Sequence, residues 1–426
     1  MKLEDVYQYF LEKAANVITD TRLCKSGDIF ISLKGENFDG NQYARKALEL
    51  GCSLAIIDNK DYMQNEKTVL VEDSLDFLQK LAYLHRQTLN LPILAITGSN
   101  GKTTTKELIV SVLKKKFVLG YTKGNYNNHI GVPLTLLSFS ENTDFGVVEM
   151  GANHPGEINS LCKIADPNFG IITNIGKAHI EGFGTFQGVI DTKNELYQYL
   201  NTKNGLIFYN SGNEILTSLS KNNKYAFGGE NDDIYAEIIE QNPFLKIKIF
   251  LNQKDYIINT KIFGEYNLEN IMAAFAIGHY FGIEASSIIN AIETYRPENN
   301  RSQLVKTKEN TVFLDAYNAN PSSMEKAIEN FLKIDGKKAM ILGDMLELGN
   351  ISEVEHIRIV KLIEKMGMDN IFLVGKNFKS LSNKQLLSFE DVEGLIEHLR
   401  TNPIKAYNIL VKGSRGTKLE KVIDFI

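Results

Sequence analysis

The chain has no tryptophan, only three cysteines and eight prolines, and no net positive charge in its 426 residues. Cys24, Cys52 and Cys162 are widely separated and odd in number, so they offer neither a disulfide framework nor a thiolate metal cluster. They read as reduced, partly buried thiols. No apolar run approaches the ~18–20 residues of a membrane span. Met1-Lys2-Leu3-Glu4-Asp5 is charged and lacks a signal-peptide core, so a cytoplasmic protein is expected. The net charge of −5 excludes the broad basic field that nucleic-acid binding needs. Internal repeats and low-complexity tracts are also absent.

What is present is an ordinary globular composition, 43% hydrophobic and 23% charged. Apolar strand-like runs alternate with helical patterns, which predicts an α/β protein with largely parallel sheets. Three units are expected, at 1–85, 86–296 and 297–426. The first has strands at 28–33 and 54–57 around a helix at 43–50. The second has strands at 93–97, 145–150, 169–173 and 205–209. It continues with a hairpin of 244–251 and 255–262 about Asn252-Gln253-Lys254, then a helix at 268–281. Arg296-Pro297-Glu298-Asn299-Asn300 reads as a linker. The third has strands at 311–315, 338–342, 370–374 and 407–411, with helices at 321–332, 352–366, 390–400 and 416–425.

The most informative segment is Gly98-Ser99-Asn100-Gly101-Lys102-Thr103-Thr104. It joins the apolar run Ile93–Ile96 to a helical pattern from Thr104 to about Lys116. Glycines let backbone N–H groups close around phosphate, and the helix N-terminus adds positive potential. Lys102 is expected on the terminal phosphates of a nucleotide and the Thr103 hydroxyl on Mg2+. The spacing is two residues shorter than the usual Walker A loop.

Glu149 ends another strand and is either a solvated glutamate or a second Mg2+ ligand. His179, in a glycine-punctuated loop after the 169–173 strand, is either structural or a ligand for a second metal. Lys193 by itself reads as an exposed helix lysine. Asn267 fits an N-cap, and with Asn270 on the same helix face it offers amides to a purine edge. Asp315-Ala316-Tyr317-Asn318-Ala319-Asn320-Pro321, Gly343–Gly349 and Lys412–Gly416 place polar loops at three strand ends, which implies a binding edge. Thr19–Arg22 and Lys34–Gly40 are weaker ligand loops in the first unit.

Together these segments resemble the Mur ligase family. Gly-x-x-Gly-Lys-Thr-Thr is shared across it. The segments Gly124-Asn125-Tyr126-Asn127-Asn128 with Gly131-Val132-Pro133, Tyr317–Pro321, Leu342–Gly349 and Lys412-Gly413-Ser414-Arg415 are similar to its D-Ala-D-Ala-adding branch. The resemblance implies a UDP-binding domain, a central ATPase-like domain and a Rossmann-like C-terminal domain. It implies ATP, two Mg2+, and the small-molecule substrates UDP-MurNAc-tripeptide and D-Ala-D-Ala, joined by a monomer.

It also implies roles for particular residues. Gly98–Thr104 bind ATP, and Lys102 acts in catalysis. Thr103 and Glu149 hold one metal, His179 and a carbamylated Lys193 the second. Asn267 and Asn270 lie beside adenine, and Arg301 and Asp315 close on the nucleotide. Asp20, Thr21, Arg22, Lys34 and Gly35 bind the uridine nucleotide, with Asn127 and Asn128 also on that substrate. Tyr317, Asn318 and Asn320 are the candidates for D-Ala-D-Ala.

Overall fold

The computed structural model describes residues 1–426 except 177–179, 253, 369 and 382–385, and it leaves out the side chain of Ile180. The second unit is built on a six-stranded sheet in the order Lys224–Phe227, Leu206–Asn210, Phe169–Ile172, Ile93–Thr97, Phe145–Glu149, Leu119–Tyr121. Every neighbouring pair is parallel. Ile93–Thr97, Phe145–Glu149 and Leu206–Asn210 are buried at every position. That is why they read as continuous apolar runs: both faces are covered.

The two faces still separate with period two. Ile93 and Ala95 join the core that packs against helices Gly131–Leu137, Glu157–Ala165 and Phe186–Thr202. Leu94 and Ile96 join the core under Lys102–Leu113 and Leu268–Tyr280. Leu268–Tyr280 is buried over nine consecutive residues from Asn270 to Gly278, because it lies between Lys102–Leu113 and the antiparallel sheet Ile234–Gln241, Leu245–Leu251, Lys254–Asn259. Each large apolar side chain so buried, Phe275 among them, contributes about 2–3 kcal/mol. The expected hairpin is therefore two strands of a three-stranded sheet.

The first unit holds a parallel sheet in the order Val17–Ile18, Ile29–Ile31, Leu54–Ile57, Thr68–Leu70. The division expected at residue 85 falls inside helix Ser74–Leu89. That helix packs on Leu3–Lys13 and also on Gly131–Leu137 and Glu157–Ala165, so one apolar core runs from the first unit into the second. The expected 43–50 helix divides into a 3-10 turn, Gly40–Tyr43, and a short α-helix, Ala44–Glu49. Cys24 and Cys52, expected as separate thiols, form a disulfide with Cα atoms 6.6 Å apart, since the fold folds this 28-residue separation back on itself. Cys162 is free and buried, and burial pushes its thiol pKa up.

The third unit is a six-stranded sheet in the order Gln303–Lys306, Thr311–Asp315, Asn408–Lys412, Lys338–Gly343, Ile371–Val374, Leu387–Phe389. Only the Gln303–Lys306 edge is antiparallel. Helices Pro321–Leu332 and Ser352–Glu364 cover one face, and Val392–Thr401 covers the other. The expected helix at 416–425 is two 3-10 segments, Arg415–Thr417 and Leu419–Phe425, separated by Lys418 in the left-handed region at φ +53°. A β-carbon in that region disfavours a continuous helix.

Candidate active site

The helix after Ile93–Thr97 starts at Lys102, two residues earlier than expected. Gly101 is its N-cap with φ +77°, a conformation that lets the chain enter the helix at once. A β-carbon at Gly98 would meet Thr173 Oγ1 at 2.1 Å, so this glycine is required by close approach of the neighbouring strand end. That neighbour shapes the loop. Thr173 Oγ1 donates to Asn100 O at 2.6 Å, Asn174 Oδ1 accepts from Asn100 N, and Ser99 N donates to Asn174 O. Lys102 Nζ folds back on Gly98 O at 2.8 Å, and desolvation lowers its pKa, with Glu149 opposing and Arg301 adding to the shift.

Glu149 is not a solvated strand end. It is 1% exposed, and Oε1 accepts from Thr103 Oγ1 at 3.1 Å and from Asn127 Nδ2 at 2.8 Å. Its other oxygen, Oε2, is buried without a hydrogen-bond partner among the described residues. An orphaned carboxylate oxygen beside a threonine hydroxyl is the oxygen donor set a hard divalent cation takes, so these residues fit Mg2+.

Lys193 is likewise not an exposed lysine. It is 2% exposed on Phe186–Thr202, with Nζ 5.2 Å from the Phe183 ring centroid and 3.5 Å from Ala152 O. Burial, reinforced by the charge of Lys102, lowers its pKa to about 7. His179 lies outside the described residues. Among the described residues no three His, Cys, Asp or Glu side chains gather into a metal cluster.

Asn267 is not a side-chain N-cap. It closes the 3-10 turn Glu265–Asn267, with Nδ2 on Phe263 O at 2.9 Å and Oδ1 accepting from Asn270 Nδ2 at 2.8 Å. Asn270 Oδ1 accepts in turn from Thr105 Oγ1 at 2.9 Å, which ties this pair to the phosphate-loop helix.

The three polar strand ends of the third unit do converge. Lys412 Nζ donates to Asp315 Oδ2 at 2.6 Å, and Ser414 Oγ accepts from Leu346 N at 2.9 Å. Arg301 stacks on Tyr317, its guanidinium carbon 3.6 Å from the ring centroid. Asn318 is exposed, and its side chain caps Ala319 N. Asn320 bridges two elements: Oδ1 caps helix Pro321–Leu332 at Ser323 N, and Nδ2 donates to Asn100 Oδ1 of the phosphate loop at 2.7 Å.

One cleft of 1040 Å³ is lined by residues 99–104, Glu149, Asn267 and Asn270 from the second unit and by Arg301, Asp315, Tyr317, Asn318, Asn320 and Lys412 from the third. Asn127 and Asn128 line it too, and the first unit reaches it through Leu75 and Gln79. Asn128 Oδ1 accepts from Gly131 N at the start of the next helix. The remaining first-unit candidates do not line this cleft. Asp20 and Arg22 pair with each other at 2.5 Å, Thr21 lies in the same 3-10 turn, and Lys34, next to Gly35, pairs with Asp58 at 2.9 Å. Sequence reasoning placed Lys412 and Thr173 only within polar strand-end segments and gave neither them nor Thr105 a role of its own. Each is a polar residue at or just beyond a strand end or inside the phosphate-loop helix, and only pairing across elements gives it a role.

Fold and site define a P-loop nucleotide-binding protein of three α/β units, with the third unit docked on the phosphate loop. The Mur ligase middle domain family matches residues 96–278, and the family described as Mur ligase, glutamate ligase domain matches residues 300–415. A relative named UDP-N-acetylmuramoyl-tripeptide--D-alanyl-D-alanine ligase, from Bacillus subtilis (strain 168), is 35% identical over 98% of this chain and 94% of its own. A crystal structure of MurF from Acinetobacter baumannii matches with a TM-score of 0.86 at 29% identity, over 99% of this chain and 97% of that one. A MurF ligase from Thermotoga maritima in complex with ADP matches with a TM-score of 0.85 at 27% identity, over 96% of each chain. The chain belongs to the Mur ligase family, in the branch of the UDP-N-acetylmuramoyl-tripeptide--D-alanyl-D-alanine ligases.

Proposed function

We infer that this chain is an ATP-dependent amide ligase that joins D-Ala-D-Ala to UDP-MurNAc-tripeptide, giving UDP-MurNAc-pentapeptide, ADP and phosphate. The observation that carries this reading is the single cleft in which the phosphate loop and Glu149 meet Arg301, Asp315, Tyr317 and Lys412 of another unit.

A carboxylate does not condense with an amine directly, because its leaving group would be oxide. In the proposed reaction the tripeptide carboxylate attacks the γ-phosphorus, ADP leaves, and an acyl phosphate forms. The amine nitrogen of D-Ala-D-Ala attacks the acyl carbon, and the tetrahedral intermediate expels phosphate as the nitrogen loses its proton. The first step brings two anions together, so positive charge must be arranged in advance. Lys102 and the loop amides supply part of it.

Thr103 and Glu149 would hold Mg2+, which supplies the remaining charge neutralisation at the phosphates. His179 and a carbamylated Lys193 are the proposed holders of a second ion. An amine with a pKa of about 7 is in good part neutral at physiological pH, the form that combines with CO2. Asn267 and Asn270 are assigned to adenine, and Arg301 and Asp315 to the rest of the nucleotide. The uridine nucleotide falls to Asp20, Thr21, Arg22, Lys34 and Gly35, and its peptide-bearing portion to Asn127 and Asn128. Tyr317, Asn318 and Asn320 are the candidates for D-Ala-D-Ala, and Asn320 also ties the third unit to the phosphate loop through Asn100. We place the enzyme in the cytoplasm as a monomer. Among the described residues no helix is long and apolar enough to cross a membrane.

Phosphate release should require UDP-MurNAc-tripeptide and D-Ala-D-Ala together, tested with lysine and diaminopimelate tripeptides in turn. Equal ATP hydrolysis without either substrate would refute the ligase reading.

A further inference from the structure

The edge strand Leu119–Tyr121 runs parallel to Phe145–Glu149, and the ladder is regular as far as Thr122 N donating to Val147 O at 3.0 Å. The next rung of a parallel ladder would carry Glu149 N to the Thr122 carbonyl. It is not made. Glu149 N donates instead to Thr122 Oγ1 at 3.0 Å, and the Thr122 carbonyl accepts from Lys106 Nζ at 2.6 Å. Thr122 and Lys106 are both completely buried. The ammonium of Lys106 is balanced by Glu107 Oε1 at 2.8 Å. A lysine is seldom held fully buried unless it is paired.

This exchange of partners has a consequence at the metal carboxylate. The chain leaves the sheet at Thr122, and the loop that follows returns over the end of the Glu149 strand. There Asn127 O accepts from Gly151 N at 2.7 Å, and Asn127 Nδ2 donates to Glu149 Oε1. A continued ladder would hold the chain in the sheet at the point where Asn127 must turn back. The hydroxyl of Thr122 keeps the Glu149 amide bonded while the departure happens.

We propose that Thr122, clamped by Lys106, is a positioning residue for the Mg2+ carboxylate: it fixes the backbone of Glu149, whose unpaired Oε2 would take the cation. The proposal rests on the nucleotide–Mg2+ reading of the cleft.

The test is Mn2+ binding to the full-length protein with saturating ADP, followed by the loss of the free-Mn2+ electron paramagnetic resonance signal, with thermal midpoints measured in parallel. Thr122→Val, close in shape but without the acceptor, should weaken Mn2+ binding about tenfold, and Lys106→Met should weaken it severalfold. Thr122→Ser should stay within about twofold of wild type, whatever its thermal midpoint. Unchanged Mn2+ affinity in Thr122→Val, with only a lower midpoint, would show a purely structural role and overturn the proposal. Wild-type protein that binds ADP but no Mn2+ would overturn the metal reading and this proposal with it.

Discussion

Replacing Lys193 with methionine should make the protein more stable at neutral pH while abolishing ligation. The buried amine has a folded-state pKa of about 7 against its ordinary 10.5. Between those values the unfolded chain binds a proton that the folded chain does not, so stability rises with pH. The penalty is complete below pH 7 and is lifted as pH climbs towards 10.5. At 1.36 kcal/mol per unit, this one group should add about 3 kcal/mol of stability between pH 7 and 9.5.

Urea unfolding followed by circular dichroism at both pH values, in bicarbonate-free buffer, isolates the effect as the difference between wild type and Lys193→Met. Other titrating groups cancel in that difference. The variant should be the more stable at pH 7, and its advantage should shrink by about 3 kcal/mol at pH 9.5. Adding bicarbonate should raise the wild-type midpoint and leave the variant unmoved. A pH-independent difference between the two proteins would refute the argument, because Lys193 would then titrate alike in folded and unfolded chains.

Three further variants, at two residues, separate roles that share one side chain. Glu149→Gln keeps the side-chain shape but removes the charge, so kcat should fall about 10²–10³-fold with the thermal midpoint nearly retained; steady-state assays beside a melting curve read both. Asn320→Ala should cost the third unit about 1 kcal/mol through the lost helix cap and also raise the ATP KM. Asn320→Asp keeps the capping oxygen and loses the donor to Asn100. It should therefore raise KM with the cap intact, and an unchanged KM in both variants would remove Asn320 from the nucleotide site.

Much of the fold was legible because its main signals are local. A buried parallel strand must be apolar throughout, so Ile93–Thr97 and Phe145–Glu149 stood out. Several edge strands were missed. Leu119–Tyr121 is only half-buried, and Ile234–Gln241 alternates irregularly around a register shift between Ile238 and Glu240. Lys193 misled for a different reason. Nothing in Asp191-Thr192-Lys193-Asn194 says which side of the helix faces the sheet. The resemblance pointed to an unusual lysine there, and burial gives it a physical basis.

The sequence by itself determined the phosphate loop, because Gly98, Gly101, Lys102 and Thr103 act through backbone conformation and near neighbours. It also determined the order of strands and helices, which follows from hydrophobic period. Tertiary structure alone decided what surrounds that loop. The Asn100–Asn320 contact joins residues 220 positions apart, and the unpaired Glu149 oxygen and the depressed pKa of Lys193 arise from burial by several elements. Contact and desolvation are properties of neighbours in space, and only the folded chain assigns those neighbours.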